Sequence, residues 1–247
     1  MFNFFKSKKN NIKVKLTPET RLELALLKEG VDNPASIEKL AITGEFFRED
    51  FKWLRKKMGK TLQVLDMSCA LFEENKLRKG ALSNCSALTS ITLPASTTEI
   101  DDGAFKKCTG LTSIDIPNAV TRIGELAFWC CTGLTSVTIP DSVVEIAFRA
   151  FNNCTGLTSI AIPQSVVKIA GSAFGRCKSL ASVIIPNSVI EIGNGAFANC
   201  TSLASITIPE SATTIGDWIL KNCDTLVRVH PDNPYYTDED GKLVKKI

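Results

Sequence analysis

Residues 108–130 read CTGLTSIDIPNAVTRIGELAFWC, and residues 131–153 read CTGLTSVTIPDSVVEIAFRAFNN. The two segments share a cysteine, a leucine, a proline and an Ala-Phe pair at equivalent positions. The cysteine recurs with a step of 23 residues, at Cys85, Cys108, Cys131, Cys154, Cys177, Cys200 and Cys223. Leucine, proline and phenylalanine repeat in the same phase. Because a period of about 20–50 residues is typical of stacked repeat proteins, this pattern predicts a solenoid.

Each repeat contains the same predicted elements in the same order. Residues 111–116 alternate apolar and polar side chains, which predicts a half-buried strand. Pro117 ends the strand because proline has no N–H for a ladder. An apolar contact and a turn follow at Ile123-Gly124, and Ala127-Phe128 begins a segment expected to be helical or 3-10. The predicted fold is therefore an α/β solenoid, a right-handed stack with short strands on its concave face and short helical segments opposite.

The N-terminal part follows the same strand pattern at looser spacing, in residues 37–42 and 62–67. Upstream, Thr17-Pro18-Glu19 predicts the start of a helix and Gly30 predicts its end. This helix would form an N-terminal cap over the open edge of the first coil. The lysines before it are expected to lie in a frayed end: Lys6, Lys8, Lys9, Lys13 and Lys15.

The chain is accordingly divided into four segments. They are a tail and cap helix (1–36), two irregular leucine-rich coils (37–84), regular 23-residue repeats (85–230), and a C-terminal hairpin or the start of an irregular coil (231–247). In the last segment, Asp240-Gly241 is the expected hairpin turn.

Composition excludes several partners. Residues 1–84 carry 17 Lys and Arg against 11 Asp and Glu, but Arg55-Lys56-Lys57 is predicted on a short helix beside Glu49 and Asp50, so we expect no nucleic-acid binding. No apolar run reaches the roughly 20 residues that span a bilayer, so we expect no membrane insertion. The start, residues 1–6, does not read as a secretory signal, which indicates a cytoplasmic protein if the chain is complete.

The residues that could support chemistry are better explained by structure. The cysteine spacing lacks the Cys-x₂₋₄-Cys clusters of zinc sites, and the column predicts buried, apolar thiols, with Cys130 as the most exposed one. His230 is the only histidine and has no predicted serine or cysteine beside it. We therefore expect no catalysis, no cofactor and no bound metal.

One column carries charges that alternate in sign from repeat to repeat. Its members are Glu99, Arg122, Glu145, Lys168 and Glu191. Stacking would place each beside an opposite charge, which sets the order of the coils and is not a binding patch.

The candidate ligand-binding residues are the outward positions of the predicted strands. One column is Ser90, Ser113, Ser136, Ser159, Ser182 and Ser205. The other is Thr92, Asp115, Thr138, Ala161, Ile184 and Thr207. Trp129 is expected to be exposed as a second, lateral contact point, whereas Trp218 is expected in the core of the last coil.

The repeat Cys-Thr-Gly-Leu-Thr-Ser-Ile-x-Ile-Pro-x-Ser-Val-x-x-Ile-Gly-x-x-Ala-Phe resembles the BspA-type leucine-rich repeat of bacterial surface proteins, over residues 85–230. Residues 40–67 are similar to the N-terminal cap of relatives from gut and oral anaerobes. The resemblance implies a monomeric, non-catalytic module that binds a protein partner, at the cell surface or after secretion, in adhesion or binding of host or matrix proteins. The alternative is a structural spacer or a self-assembling array without a specific ligand.

Overall fold

A computed structural model describes residues 11–246. The helices are α1 (Leu22–Lys28) and α2 (Arg48–Met58), and single 3-10 turns cover Pro34–Ser36 and Glu73–Asn75. In chain order the strands are β1 (Asn11–Leu16), β2 (Lys39–Phe46), β3 (Val64–Phe72), β4 (Lys76–Leu77), β5 (Ser90–Thr92), β6 (Glu99–Ile100), β7 (Ser113–Asp115), β8 (Arg122–Ile123), β9 (Ser136–Thr138), β10 (Glu145–Ile146), β11 (Ser159–Ala161), β12 (Lys168–Ile169), β13 (Ser182–Ile184), β14 (Glu191–Ile192), β15 (Ser205–Ile208), β16 (Thr214–Ile215), β17 (Leu226–Val229), β18 (Tyr236–Glu239) and β19 (Lys242–Lys245).

The first sheet is a parallel layer that takes one strand from each coil. Its strands form three paired groups: β1, β2, β3 and β5; β7, β9, β11 and β13; and β15 with β17. From β7 to β13 neighbouring strands pair at an offset of 23 residues, as Ala161 does with Ile184, whereas Ser205 pairs with Leu226 at an offset of 21 residues. Between strand segments, hydrogen bonds such as Thr112 N to Thr89 O (3.3 Å) continue the layer. The predicted parallel-strand solenoid is confirmed.

A second parallel sheet runs beside the first and was not predicted. It contains the two-residue strands β4, β6, β8, β10, β12, β14 and β16. Sequence analysis placed only an apolar contact and a turn at Ile123-Gly124, whereas the structure pairs Ile123 with Ile100 and with Ile146. Two residues are too few to show the alternation by which a strand is recognised in a sequence.

The third side of each coil contains the Ala-Phe pair and consists of consecutive turns. The prediction of helical or 3-10 segments here is wrong, because two residues in each coil adopt a left-handed conformation that interrupts a helix. Leu126 (φ 57°) and Cys130 (φ 60°) are examples. Backbone N–H groups of these turns donate to the next coil instead, as Phe128 N does to Ala150 O at 2.8 Å. All three sides are therefore hydrogen-bonded from coil to coil.

Stacked aromatic rings form the centre of the core. They belong to Phe105, Phe128, Phe151, Phe174 and Phe197, all fully buried. Consecutive ring centroids lie 5.1–5.5 Å apart, and the ring planes differ by 3–10°. Burying each ring contributes roughly 1.5–3 kcal/mol before chain entropy is subtracted. A continuous column of this kind replaces the core of a globular domain.

The cysteine column lies beside these rings. Cys131 Sγ donates to Phe105 O (3.1 Å), and Cys154 Sγ donates to Phe128 O at the same distance. Phe105 O also accepts a hydrogen bond from Cys108 N (3.0 Å), so the thiol occupies the second lone pair of a buried carbonyl. This hydrogen bond stabilises the fold with cysteine relative to alanine, which would also fit at this position. The predicted column of buried thiols is confirmed for six of its seven cysteines, and the last, Cys223, is half-buried.

The N-terminal residues of the described chain form a strand. β1 pairs with β2, Val14 opposite Ile42, and its alternate side chains Ile12, Val14 and Leu16 are buried. The prediction of a frayed end is therefore wrong for Lys13 and Lys15, which lie on the outer face of β1. Lys6, Lys8 and Lys9 lie outside the described residues.

Helix α1 follows β1 and begins later than predicted, at Leu22. Thr17 Oγ1 accepts a hydrogen bond from Thr20 N (3.2 Å), so the expected cap residue closes a turn before the helix. Gly30 ends the helix as predicted, with φ 72°. Buried Asp50 on α2 joins the two helices, because its carboxylate accepts a hydrogen bond from Leu22 N at 3.1 Å.

The C-terminal residues form the antiparallel hairpin β18–β19. Its turn is at Asp240-Gly241, as predicted, with φ values of 49° and 72°. Asn233 is fully buried and fastens this segment to the last coils, because its Nδ2 donates to Pro209 O (2.8 Å) and to Ala212 O (3.0 Å).

Candidate interaction surfaces

The outward side chains of the first sheet form two straight columns. All twelve residues predicted as ligand-binding are exposed, because alternate residues of a strand face opposite sides and the leucines and isoleucines take the inner side. Strand pairing places Asp115 beside Thr138, Thr138 beside Ala161, and Ala161 beside Ile184. The residues named from the sequence therefore form one surface, called here the first-sheet face. Their role in binding remains a prediction.

The first-sheet face carries one large apolar side chain among small or polar ones. Ile184 is 79% exposed, in a column whose other members are small or polar. The threonines at the start of each strand donate their hydroxyl groups to the preceding coil, for example Thr112 Oγ1 to Thr89 O at 3.2 Å. Thr135 Oγ1 does the same to Thr112 O at 3.1 Å. These bonds hold the threonine side chains in one orientation.

The alternating charges lie in register along the second sheet, as predicted. Lys168 Nζ is 3.4 Å from a carboxylate oxygen of Glu191 and 3.9 Å from one of Glu145. Arg122 departs from the prediction, because its guanidinium binds Asp101 (3.1 Å) and Asp102 (2.9 Å) instead of its neighbours in the column. The pKa of Asp101 is lowered; burial opposes the shift, and hydrogen bonds from Asp102 N–H and Arg122 outweigh it.

A concavity of about 860 Å³ lies over this sheet and was missed by sequence analysis. Beside it run three exposed apolar side chains, Val144, Val167 and Ile190, with 54%, 44% and 49% of their surface exposed. A signal was present in the sequence, since these residues replace Thr98 and Thr121 of earlier repeats. An isolated substitution of this kind does not reveal whether a concavity lies next to it.

The exposure of the two tryptophans on the turn side differs from the prediction. Trp129 is half-buried, and the Nζ atoms of Lys106 and Lys107 lie 4.9 and 5.5 Å from its ring centroid. Trp218 is 70% exposed and not part of the core. It occupies the left-handed turn position of Leu126, which directs the side chain outward, while Ile219 fills the buried place of the usual alanine.

The thiols do not form a reactive site. All nine cysteines are free. Burial raises the pKa of Cys131 to about 12 and that of Cys154 well above its ordinary value, so both are protonated at neutral pH. The most exposed thiol is Cys69, whereas Cys130, predicted to be the most exposed, is half-buried and accepts a hydrogen bond from Asn153 Nδ2 at 3.1 Å.

His230 lies close to two carboxylates. The potential ligand atoms of Glu210, His230 and Asp232 are within 4.8 Å of one another. His230 Nδ1, however, accepts a hydrogen bond from Asp232 N at 3.3 Å. A neutral imidazole that accepts at Nδ1 carries its proton on Nε2, so neither nitrogen has a free lone pair for a metal. We assign no metal to this group.

The basic cluster on α2 has a packing role. Arg55 Nη1 donates to Ala81 O at 2.7 Å, which joins the helix to the following coil. Within residues 11–246, no helix combines the length and the apolar character needed to cross a bilayer.

The repeat region matches the family described as BspA type Leucine rich repeat region, with six copies over residues 75–181 and 121–236. The chain belongs to the BspA-type leucine-rich repeat family. A solved leucine-rich repeat protein from Bacteroides ovatus is 20% identical over 87% of this chain and 63% of its own length, with a TM-score of 0.54. This likeness supports the same fold for the BspA-type chain.

Two further solved proteins are similar to this BspA-type chain. A leucine-rich repeat protein from Eubacterium ventriosum is 30% identical over 56% of this chain and 37% of its own, with a TM-score of 0.48. A leucine rich cell surface protein from Faecalibacterium prausnitzii is 26% identical over 80% and 67%, with a TM-score of 0.44. The chain thus spans less than two thirds of the Eubacterium and Bacteroides proteins. No curated protein matches it.

Proposed function

We propose that this chain is a non-catalytic protein-interaction module that binds a protein partner along the first-sheet face. The observation that carries the proposal is the in-register row from Asp115 to Ile184, exposed along its whole length. At about 4.8 Å per strand, the face extends about 24 Å from β5 to β15. An exposed surface of that length suits another protein better than a small molecule, which needs an enclosed pocket.

Ile184 and Asp115 give this face its specificity. An exposed apolar side chain surrounded by small polar ones matches the usual arrangement of an interface, with an apolar centre and a polar rim. Asp115 lies three strands away and supplies a charge to select the orientation of the partner. The serine column beside them offers hydroxyl groups that can both donate and accept hydrogen bonds.

The finer proposal is that the partner is a host-surface or extracellular-matrix protein and that the chain acts at the cell surface. Family membership supports it, because the repeats resemble those of bacterial surface proteins.

We also propose that the solenoid winds right-handed and that α1 caps its N-terminal end. Parallel strands joined by crossovers are right-handed in nearly all proteins, which favours that hand here.

The test measures binding of the purified chain to a panel of purified extracellular-matrix proteins by biolayer interferometry. The double variant Asp115→Arg, Ile184→Arg should weaken binding at least about tenfold, since it removes one apolar anchor and reverses one charge. Ile190→Arg is the matched control, because it places the same charge on an exposed apolar residue of the second sheet. Equal losses for both variants, or no binding by the wild type, would contradict the proposal.

The alternative is a structural spacer or self-assembling array. The columns of the first-sheet face favour it in one respect, because they contain none of the tryptophan, tyrosine and arginine that dominate binding hot spots. Sedimentation velocity at increasing protein concentration separates the two. A constant monomeric mass fits the interaction module, whereas a mass that grows with concentration fits self-assembly.

A further inference from the structure

A second site lies on the turn side, away from the first-sheet face. It is a cavity of about 340 Å³, which falls at the small end of the range of about 300–1,000 Å³ for ligand pockets. One column of the repeat explains why it exists. Trp129 is followed at 23-residue steps by Asn152, Gly175 and Ala198, so the side chains shrink and leave space next to the indole. A Cβ atom at residue 175 would lie 2.6 Å from Asn152 Nδ2, so a larger residue there would have to displace the Asn152 side chain.

The charged residues that line this cavity are all basic. Arg149 and Arg176 line it, and no aspartate or glutamate does. Among the described residues neither arginine has a carboxylate within 4.0 Å, in contrast to Arg122, which has two. Arg149 instead lies over the Phe148 ring, 4.8 Å from its centroid. Two arginines without a carboxylate partner line one cavity, which favours an anionic ligand, and the paired N–H groups of a guanidinium match a carboxylate.

The remaining polar groups can bind hydroxyl groups. Asn152 Nδ2 donates to Ser172 O (3.2 Å) and Asn153 Nδ2 donates to Cys130 Sγ (3.1 Å), which leaves both side-chain carbonyls to accept. Asn199 Oδ1 accepts from Asn222 Nδ2 at 3.0 Å, which leaves the Asn199 amide to donate. A sugar hydroxyl both donates and accepts, so it can use both kinds of group.

We propose that this cavity binds an acidic sugar, a pyranose ring that carries a carboxylate. The ring packs against the Trp129 indole, whose amphipathic face suits C–H groups. The carboxylate binds Arg149 and Arg176, and the asparagines bind ring hydroxyls. The site uses neither the first-sheet face nor its protein partner.

The neighbouring repeats supply variants that the fold already accepts. Arg149→Ser introduces the residue found at Ser172, one coil later in the same column, and Arg176→Asn introduces that found at Asn153 and Asn199. Lys178→Thr is the matched control, because it introduces the residue found at Thr155 and Thr201 in the same column. It removes an exposed positive charge two residues from Arg176, and Lys178 does not line the cavity.

The experiment follows the indole N–H resonance of Trp129 by NMR during titration with methyl glucuronide, methyl glucoside and acetate. We expect a saturating shift with methyl glucuronide, at least about tenfold weaker binding for the double variant Arg149→Ser, Arg176→Asn, and a change below about twofold for Lys178→Thr. Methyl glucoside and acetate should each bind at least about tenfold more weakly than methyl glucuronide.

Several outcomes would overturn the proposal. Equal affinity for acetate would reduce the site to an anion-binding surface, and equal affinity for methyl glucoside would show that the arginines do not contribute. Equal losses for Lys178→Thr and the double variant would indicate general attraction between charges. No shift at about 100 mM methyl glucuronide would exclude the site.

Discussion

Thr97 is the buried residue whose replacement should stabilise the protein most. It is fully buried, and within the described chain its Oγ1 has no hydrogen-bond partner. The equivalent positions in the next four coils hold Val120, Val143, Val166 and Val189, which are also fully buried. Thr97→Val therefore removes an unsatisfied hydroxyl and replaces it with a methyl group that this column accommodates four times.

The expected gain follows from the cost of burying a hydroxyl without a partner. That cost is about 1–3 kcal/mol, and valine and threonine have nearly the same shape, so no cavity forms. Each kcal/mol corresponds to about 2–4 °C in Tm for a domain of this size. Thr97→Val should thus raise the free energy of unfolding by about 1–3 kcal/mol and Tm by at least about 2 °C.

Differential scanning calorimetry and urea titration followed by circular dichroism would measure both quantities. Val166→Thr is the matched control, because it creates the same unsatisfied hydroxyl in a central coil and should lower the free energy of unfolding by a similar amount. A lower Tm for Thr97→Val would refute the reasoning, since it would show that the Thr97 hydroxyl has a partner that stabilises it.

Four further predictions concern the thiols, the turns and the charge ladder. Under native conditions at pH 8, an alkylating reagent should modify Cys69 first and leave the buried column intact, as peptide mass mapping would show. Because burial raises the folded-state pKa of Cys131 to about 12, its contribution to stability should be present below about pH 9 and be lost as the pH rises towards 12, measurable by urea titration. Lys107→Gly should raise the free energy of unfolding by about 0.5–1 kcal/mol, because φ is 60° there; a decrease would contradict the left-handed turn. Lys168→Glu places like charges in three consecutive coils and should cost about 1 kcal/mol, less at 1 M salt; a loss independent of salt would argue against charge repulsion.

The sequence by itself determined the stack, its period and its core. A step of 23 residues puts Cys108, Cys131 and Cys154 at one place in three coils, and parallel pairing then brings identical side chains over one another. The first-sheet face follows as well, because alternation within a strand assigns Asp115 and Ile184 to the outer side. Such features depend only on local pattern and on repetition.

Tertiary structure alone decided the features that depend on neighbouring coils. Strand β1 forms because β2 offers it an unpaired edge, and the second sheet forms because stacking aligns pairs of residues too short to signal a strand. The half-buried state of Trp129 and the exposure of Trp218 depend on left-handed turns and on which coils follow them. The cavity beside Trp129 arises from the difference in size between side chains 23 and 46 residues apart, which touch only after the coils have stacked. The sequence pattern within one repeat cannot predict contacts between residues of different coils, because no bond or turn within one repeat depends on them.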